Sequence, residues 1–550
     1  MDEFDIGIIT TSSSLDEVAE ILKRFLIQNA NVFTFHMLNK NDCRMLLWTA
    51  LFQHLQNERS DEIHALCLAV IRLLSRDKTD LEQLLCEKWI TTLIERAGLY
   101  NYDGADDYCN GATALPDKEI VIEALKCLCN LTYNSEVARA HCGNTSIDQG
   151  LLGRIKAYKD ISYKDEIMLF DMKLIFILTA LRHDIKIKIK YELNGMEHLT
   201  TCLSDIVLES SKSDEQKICE NCTLSDEKQA IVCQILKAQF NLIIQSSLDE
   251  PENEAEEAIF LQLMPVLTAL LCAQTTDTDR SMELKSNVAN LLTCVPPIFY
   301  VHLTPKLEKG ESSKYTYNGC KMDAMHALLD FLQYRLSITI GVHNQYENLS
   351  PILTVLNKAS RGSRIHRKYL RQEVLPPLRD VSKPPEQGNT LRNKLCRLLT
   401  TPVTSVRDLV AEFLFILCKE NVGRMVKYTG FGNAAGHLAQ KGLLAGGAGE
   451  AGEAGEAGAY SSSDDSDTAE YAHAAPHVDP VVGCTRPPPH NPFRGMSEQQ
   501  KEYEAMKLVN LFDKMVSEGV VKPARVGPDG RPQPIEHVLE LRDTPNRHNS

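Results

Sequence analysis

VIEALKCLCNLTYNSEVARA, residues Val121 to Ala140, is the stretch that decides the fold. Val121, Ile122, Leu125, Leu128 and Leu131 fall at helical spacing, with Ala124, Cys127 and Cys129 between them. A helix apolar on nearly every side is buried on most faces. Its core recurs along the chain. Leu125-Lys126 followed by Asn130-Leu131-Thr132 returns as Leu236-Lys237 with Asn241-Leu242-Ile243. It returns again as Leu284-Lys285 with Asn290-Leu291-Leu292, and more loosely as Met172-Lys173 with Leu178-Thr179. The leading residues stand at 125, 172, 236 and 284, so the steps are 47, 64 and 48. Armadillo and HEAT repeats recur at about 40–47 residues and take insertions in loops. The pattern predicts an all-α, armadillo/HEAT-like right-handed superhelical solenoid, because helix pairs that cannot cover their own apolar face stack on one another.

The totals fit this architecture. At 550 residues the chain is too long for one ordinary compact core, whereas a linear array needs only neighbour contacts. The net charge of −15 argues against bulk nucleic-acid binding. The first ten residues, MDEFDIGIIT, lack a basic n-region and a long apolar core, so no secretory signal is expected. The most lipid-like run, Ile167 to Leu181, is interrupted by Asp171 and Lys173 and is short for a membrane span. Seventeen cysteines without a signal peptide imply reduced thiols in a cytoplasmic protein.

Periodicity predicts helices at Leu15–Ile27, Arg44–Leu55, Ile63–Leu74 and Leu81–Ile94, then a polar insertion at 100–117. A break is expected at His141–Gly153, and loops at 209–228 and 303–319. Val406–Cys418 is the last strongly buried helix, so residues 1–430 are assigned to the array. Residues 431–490 are expected to form a disordered Gly/Ala/Glu/Ser-rich acidic linker, since GGAGEAGEAGEAG (446–458) buries too little apolar surface to offset ordering entropy. Residues 491–550 carry a C-terminal helix and tail. Ser497 and Gln500 form a capping box, Leu508, Val509, Phe512 and Val516 an apolar stripe, and Gly519 a stop.

The sequence carries no enzyme signature: no phosphate-binding loop, no zinc-protease motif, no nucleophile elbow. Cys219 and Cys222 form a single C-x-x-C, which reads as a loop pair, so no metal and no cofactor is expected. His64, His326 and His366 read as surface or core residues. Asn130, Asn241 and Asn290 recur at one repeat position. An amide there both donates and accepts, either to the backbone of a captured peptide or to a neighbouring helix. Arg72 and Arg76 stand four apart one repeat earlier, and arginine suits bidentate recognition of carboxylates.

Residues 358–397 hold eleven basic side chains, among them Arg361, Arg364, Arg367, Lys368 and Arg371. Only Glu373, Asp380 and Glu386 oppose them, leaving +8 in an acidic chain. This excess points to an anionic partner: acidic protein, phosphoserine, lipid headgroup or RNA. Ser461 and Ser462 each precede an aspartate by three residues, the pattern of an acidophilic kinase such as casein kinase II. Their phosphates are expected to dock on the basic face.

RKYLRQEVLPPLRD (367–380), NPFRGMSEQQKEYEAMKLVNLFDKM (491–515) and ALKCLCNLTYNS (124–135) resemble motifs of the synembryn family, also called resistance to inhibitors of cholinesterase. The resemblance covers the chain except the 431–490 linker, in which the 446–458 tract departs from the family pattern. It implies a non-receptor guanine-nucleotide exchange factor and folding chaperone for heterotrimeric G-protein α subunits (Gα), without covalent chemistry. In that reading a concave groove holds the Gα C-terminal helix, GDP leaves, and the nucleotide-free complex persists until GTP binds. Arg72, Arg76 and Asn130 match the family's groove motifs, to which the repeat argument adds Asn241 and Asn290. Tyr503, Met506, Val509 and Phe512 lie in the C-terminal motif (491–515) that, by the resemblance, meets Gα or braces the array. Ser461 and Ser466 sit where the family carries acidic-kinase sites. Peripheral recruitment to the cell cortex or plasma membrane is implied as well. Two other readings share the fold: an armadillo peptide adaptor of the nuclear-import type, and a phosphoinositide- or RNA-binding scaffold using the 358–397 patch. The adaptor's groove is lined with tryptophan, yet this chain has only Trp48 and Trp89.

Overall fold

The computed structural model describes the chain except residues 1–2, 13, 41, 100–116, 162, 212–221, 245–249, 309–312, 339–340, 342–343, 445–466, 486–494, 521–523, 527–531 and 535–550. The chain forms two units, Met1–Cys484 and Thr485–Ser550.

The first unit is a helical array built on one continuous row. Its members, labelled here in chain order, are α1 (Asp61–Leu74), α2 (Lys118–Asn134), α3 (Lys164–Leu181), α4 (Asp226–Ile243), α5 (Thr278–Cys294), α6 (Gln345–Gly362) and α7 (Thr404–Leu417). Each packs on the next. The four repeat positions read from the sequence fall on α2, α3, α4 and α5, so the recurring motif is the row itself. The helices Gly195–Glu209, Glu254–Cys272 and Asp323–Arg335 pack in a second layer against it. This is the armadillo/HEAT-like solenoid expected of helix pairs that bury one another.

α2 shows how the row is held. Asp117 caps it by accepting from the Glu119 N–H. Val121, Leu125, Leu128 and Leu131 are fully buried, each contributing about 1.5–3 kcal/mol. Its two cysteines face opposite neighbours: Cys127 Sγ donates to the Leu68 carbonyl of α1 at 3.2 Å, Cys129 Sγ to the Phe170 carbonyl of α3 at 3.6 Å. Burial pushes the Cys129 thiol up to about 12, so these thiols pack rather than react.

A charged network ties the flanking helices to the row. Arg154, in the helix Ile147–Lys156, grips Asp171 of α3 through Nε (2.8 Å) and Nη2, and sends Nη1 to the Ala97 carbonyl at 2.5 Å. The Tyr158 hydroxyl donates to the same carboxylate at 2.8 Å. Arg154 and Asp171 are both fully buried. Burial pushes the Asp171 carboxyl up, and Arg154 opposes the shift.

Several expected boundaries move. The organising helix ends at Asn134. Ser135 is extended (φ −127°, ψ 132°) and caps a new helix, Glu136–Gly143. The break expected at 141–153 therefore contains the start of Ile147–Lys156. Leu81–Ile94 divides into a 3₁₀ turn, Leu81–Leu84, and a helix, Glu87–Arg96. The 303–319 region contributes a strand, Thr316–Tyr317, which pairs antiparallel with Cys320–Lys321.

The array also passes residue 430. The helix Phe431–Gln440 buries Ala434 and Leu438, and residues 467–485 return to the array. Lys427 pairs with Asp467, and Thr468 Oγ1 donates to the Leu378 carbonyl. The Phe431 and Gly432 N–H groups donate to the carbonyls of Pro480 and Val481 at 2.8 and 2.9 Å. Gly430 and Gly483 meet here, both at positive φ; a Cβ on Gly483 would lie 3.0 Å from Gly430 Cα. The 431–490 segment is thus anchored along part of its length. The 446–458 tract and Ser461, Ser462 and Ser466 lie outside the described residues.

The second unit contains the helix Glu498–Ser517, opened by the capping box of Ser497 and Gln500. None of its residues is buried, and Tyr503, Met506, Leu508 and Leu511 are each more than half exposed. Strands Ala524–Val526 and Pro532–Pro534 pair antiparallel after it.

Candidate functional site

The C-terminal turn of α1 and the middle of α2 bring cations and an amide together. Arg72 Nε donates to Glu123 Oε2 at 2.6 Å, and Lys126 Nζ donates to Oε1 of the same carboxylate at 2.8 Å. Arg76 Nη1 reaches the Ala30 carbonyl at 2.7 Å, and its guanidinium lies 5.4 Å from the centre of the Phe33 ring. Lys126 also lies over the Phe170 ring of α3. Asn130 Nδ2 stands 3.5 Å from the Arg72 carbonyl and 3.4 Å from Ser75 Oγ. Arg72, Arg76 and Asn130 are all partly exposed. The site can therefore present cationic N–H groups to a carboxylate, and the Asn130 amide oxygen to a peptide N–H.

A buried polar hub fixes the loop that carries Ala30 and Phe33. Arg44 caps the end of α1, donating to the carbonyls of Leu74 (2.9 Å), Asp77 (2.6 Å) and Thr79 (2.5 Å). Asp77 accepts from the N–H groups of Phe35 (2.8 Å) and Thr79 (3.0 Å) and from Asn39 Nδ2 (3.0 Å). Burial alone would raise the Asp77 pKa, but these donors outweigh it and hold it down to about 2.

The asparagines share a geometry along the row. Asn241 Nδ2 donates to the Phe176 carbonyl and to Thr179 Oγ1 of α3, both at 3.1 Å. Asn130 does the same toward residues 72 and 75 of α1. Each amide reaches the preceding row helix at a carbonyl and at the hydroxyl three residues later. Asn357 of α6 donates instead to the Leu409 carbonyl of α7 at 3.1 Å. The amide nitrogens of Asn130 and Asn241 therefore brace the row, as the neighbouring-helix reading expects. Asn130, Asn241 and Asn290 are half-buried, so they border the exposed face of the row rather than its dry interior. Asn241 and Asn290 line a cavity of about 140 Å³ with Phe176, Lys237, Phe240 and Asn287. A neighbouring cleft of about 410 Å³ adds Glu283, Tyr334 and Arg335. Asn290 is brought beside Asn241, not beside Arg72.

The 358–397 stretch is not the open basic face its composition suggests. Lys358 Nζ caps α5 through the carbonyls of Thr293 (2.8 Å) and Val295 (3.1 Å). Arg361 pairs with Glu412. Arg367 Nη1 donates to the Ser360 carbonyl at 3.0 Å, and Arg397 Nη1 to those of Glu386 and Gly388. Arg371 stands against the Tyr428 phenol. Several of these cations thus serve helix ends that converge here, which a count of charges does not reveal. Arg364 remains exposed on the helix Arg364–Val374, while Tyr369 and Leu370 of that helix are buried.

His64, His326 and His366 sit in structural contacts. His64 Nε2 lies 2.9 Å from the His54 carbonyl, His326 Nδ1 2.9 Å from the Tyr369 hydroxyl, and His366 Nε2 2.7 Å from Thr304 Oγ1. Among the described residues no cluster of His, Cys, Asp or Glu could hold a metal ion. Among the described residues one helix, Glu254–Cys272, is long and apolar enough to cross a membrane; in this fold its Leu263, Met264, Val266 and Leu267 are buried. Sequence reasoning missed Glu123, Lys126 and the Ala30–Phe33 loop. The i, i+3 spacing of Glu123 and Lys126 was the only local signal for them.

The family described as guanine nucleotide exchange factor synembryn, Ric8, matches residues 67–531. The protein named Chaperone Ric-8A from Xenopus laevis is 40% identical over 532 residues, covering 96% of this chain and 95% of its own length. Its Gallus gallus namesake is 39% identical over 534 residues with the same coverage. Chaperone Ric-8 of Drosophila melanogaster is 36% identical over 570 residues, again covering 96% and 95%. With a family match across most of its length and relatives similar from end to end, the chain belongs to the Ric8 family, the guanine nucleotide exchange factor synembryn.

Proposed function

We propose that this protein is a non-receptor exchange factor and folding chaperone for heterotrimeric G-protein α subunits, and that the exposed face of the row receives the Gα C-terminal helix. The observation that carries the reading is the convergence of Arg72, Arg76, Lys126 and Asn130 at the start of an asparagine-lined face. The terminal carboxylate of Gα is placed at Arg72 and Arg76, and the helix runs past Asn130 toward Asn241 and Asn290. Holding that helix away from the rest of Gα favours the nucleotide-free form, because a ligand shifts an equilibrium only by its differential affinity for the two states.

The magnitudes set the division of labour. Moving Gα from 1:99 to 99:1 in favour of the nucleotide-free form takes about 5.5 kcal/mol of differential binding. Truncating one partner of a desolvated charge pair costs about 2–5 kcal/mol, which exceeds the net worth of the pair, so the carboxylate site falls short alone. The helix face and the exposed Glu498–Ser517 segment, with Tyr503, Met506, Val509 and Phe512, supply the rest. No covalent step is involved. The same grip supports nascent Gα, in the cytoplasm and at the cell cortex. Ser461, Ser462 and Ser466 are proposed substrates of an acidophilic kinase such as casein kinase II.

The test is GDP release from purified Gα, with the full chain and with residues 1–490. The full chain accelerates release. The shortened chain loses exchange while keeping its affinity for a Gα C-terminal peptide. Equal losses in both assays would mean that the tail only stabilises the fold.

A further inference from the structure

In the free protein the cations at the start of the row already hold a carboxylate. Glu123 gives one oxygen to Arg72 and the other to Lys126. Its side chain is 16% exposed, whereas those of Arg72 and Lys126 are 27% and 31% exposed. The acid thus lies deeper than the two cations it joins. With Arg76 the cluster counts three cations against one carboxylate, a net +2. Among the described residues Glu123 takes only Nε of Arg72, which leaves the terminal Nη groups as donors for a further acceptor.

Resting on the carboxylate-capture reading above, we infer that Glu123 is a resident counter-ion that sets how strongly, and how selectively, this site takes a C-terminal carboxylate. It occupies Arg72 and Lys126 while the face is empty. It repels a second carboxylate once one arrives. Three unopposed cations would attract any acidic surface or phosphate. With Glu123 in place, charge alone is a weak attractor, and capture requires a carboxylate presented on a helix that also fits the asparagine-lined face. Glu123 acts through Arg72 and Lys126 and is a positioning residue. No enzyme-like step is assigned to it.

The test compares wild type with Glu123→Gln in the full chain. Each is titrated by calorimetry with a Gα C-terminal peptide ending in a free carboxylate, and with the same peptide ending in an amide, at low and physiological salt. Two like charges about 4 Å apart in water-like surroundings, the weakest case, are worth about a five-fold change in affinity. Glu123→Gln is expected to bind the free-acid peptide about five-fold tighter, with a steeper salt dependence, and the amide peptide unchanged. Glu123→Asp, which keeps the charge, is expected to return the acid-to-amide ratio close to wild type. Unchanged or weaker free-acid binding by Glu123→Gln overturns the inference, as does an aspartate variant that behaves like the glutamine one. A wild-type protein that does not distinguish acid from amide refutes the capture reading itself, so the two failures are separable.

Discussion

Replacing Arg72 by alanine separates binding from folding at the proposed carboxylate site. Arg72 makes one ion pair, with Glu123, and its side chain is 27% exposed. Glu123 retains Lys126 at 2.8 Å after the substitution, so no carboxylate is left buried without a partner. Partly exposed pairs of this kind contribute under about 1 kcal/mol, and the melting temperature should fall by only a few degrees. Binding has more to lose. Truncating one partner of a desolvated charge pair costs about 2–5 kcal/mol; partial exposure of the site favours the lower end, about 2 kcal/mol or roughly 30-fold in Kd. Arg72→Lys keeps the charge but cannot serve Glu123 through Nε and a carboxylate through a terminal fork together, so it should recover only part of the loss. Calorimetry with a Gα C-terminal peptide reads the binding loss and thermal denaturation reads the fold. Unchanged affinity, or a stability loss as large as the binding loss, would refute the reasoning.

Two predictions concern the scaffold. Arg154→Ala leaves the fully buried Asp171 carboxylate without its guanidinium, and should destabilise the array by about 3–5 kcal/mol in chemical denaturation; a loss below 1 kcal/mol would contradict that role. His366 is fully buried, and burial lowers its pKa to about 4 from the ordinary 6.5. Because the folded-state value is depressed, the unfolded chain takes up the proton first as pH falls. Stability is therefore unaffected above about pH 6.5, declines by about 3 kcal/mol between pH 6.5 and 4, and levels off below that. His366→Gln should flatten this part of the profile, and an unchanged slope in urea titrations at pH 7 and pH 5 would disprove the assignment.

The row was legible in the sequence because each member repeats one local pattern. Leu125, Met172, Leu236 and Leu284 are buried at corresponding places on α2 to α5. Boundaries that depend on a single residue were less legible. Ser135 ends one helix and caps the next, yet sits in a run whose apolar periodicity continues across it. The return of residues 467–485 to the array was hidden for another reason. Its anchors, such as Thr468 to the Leu378 carbonyl, join positions 90 apart, and no local pattern encodes them.

The candidate site was half legible. Arg72, Arg76 and Asn130 stood out by residue type and repeat position. Glu123 did not, because an acid on a mostly apolar helix reads as solvated until its partner 51 residues away is placed beside it. The basic stretch at 358–397 misled in the opposite direction. Its charge excess is real, but Lys358, Arg367 and Arg397 spend theirs on backbone carbonyls.

The most direct test of the central claim is GDP release from purified Gα, measured with this protein, for the intact subunit and for one lacking its last few residues. The account predicts strong acceleration for the intact subunit and little for the truncated one, since the truncated chain presents no helix end to Arg72 and Arg76. Equal acceleration of both would contradict it.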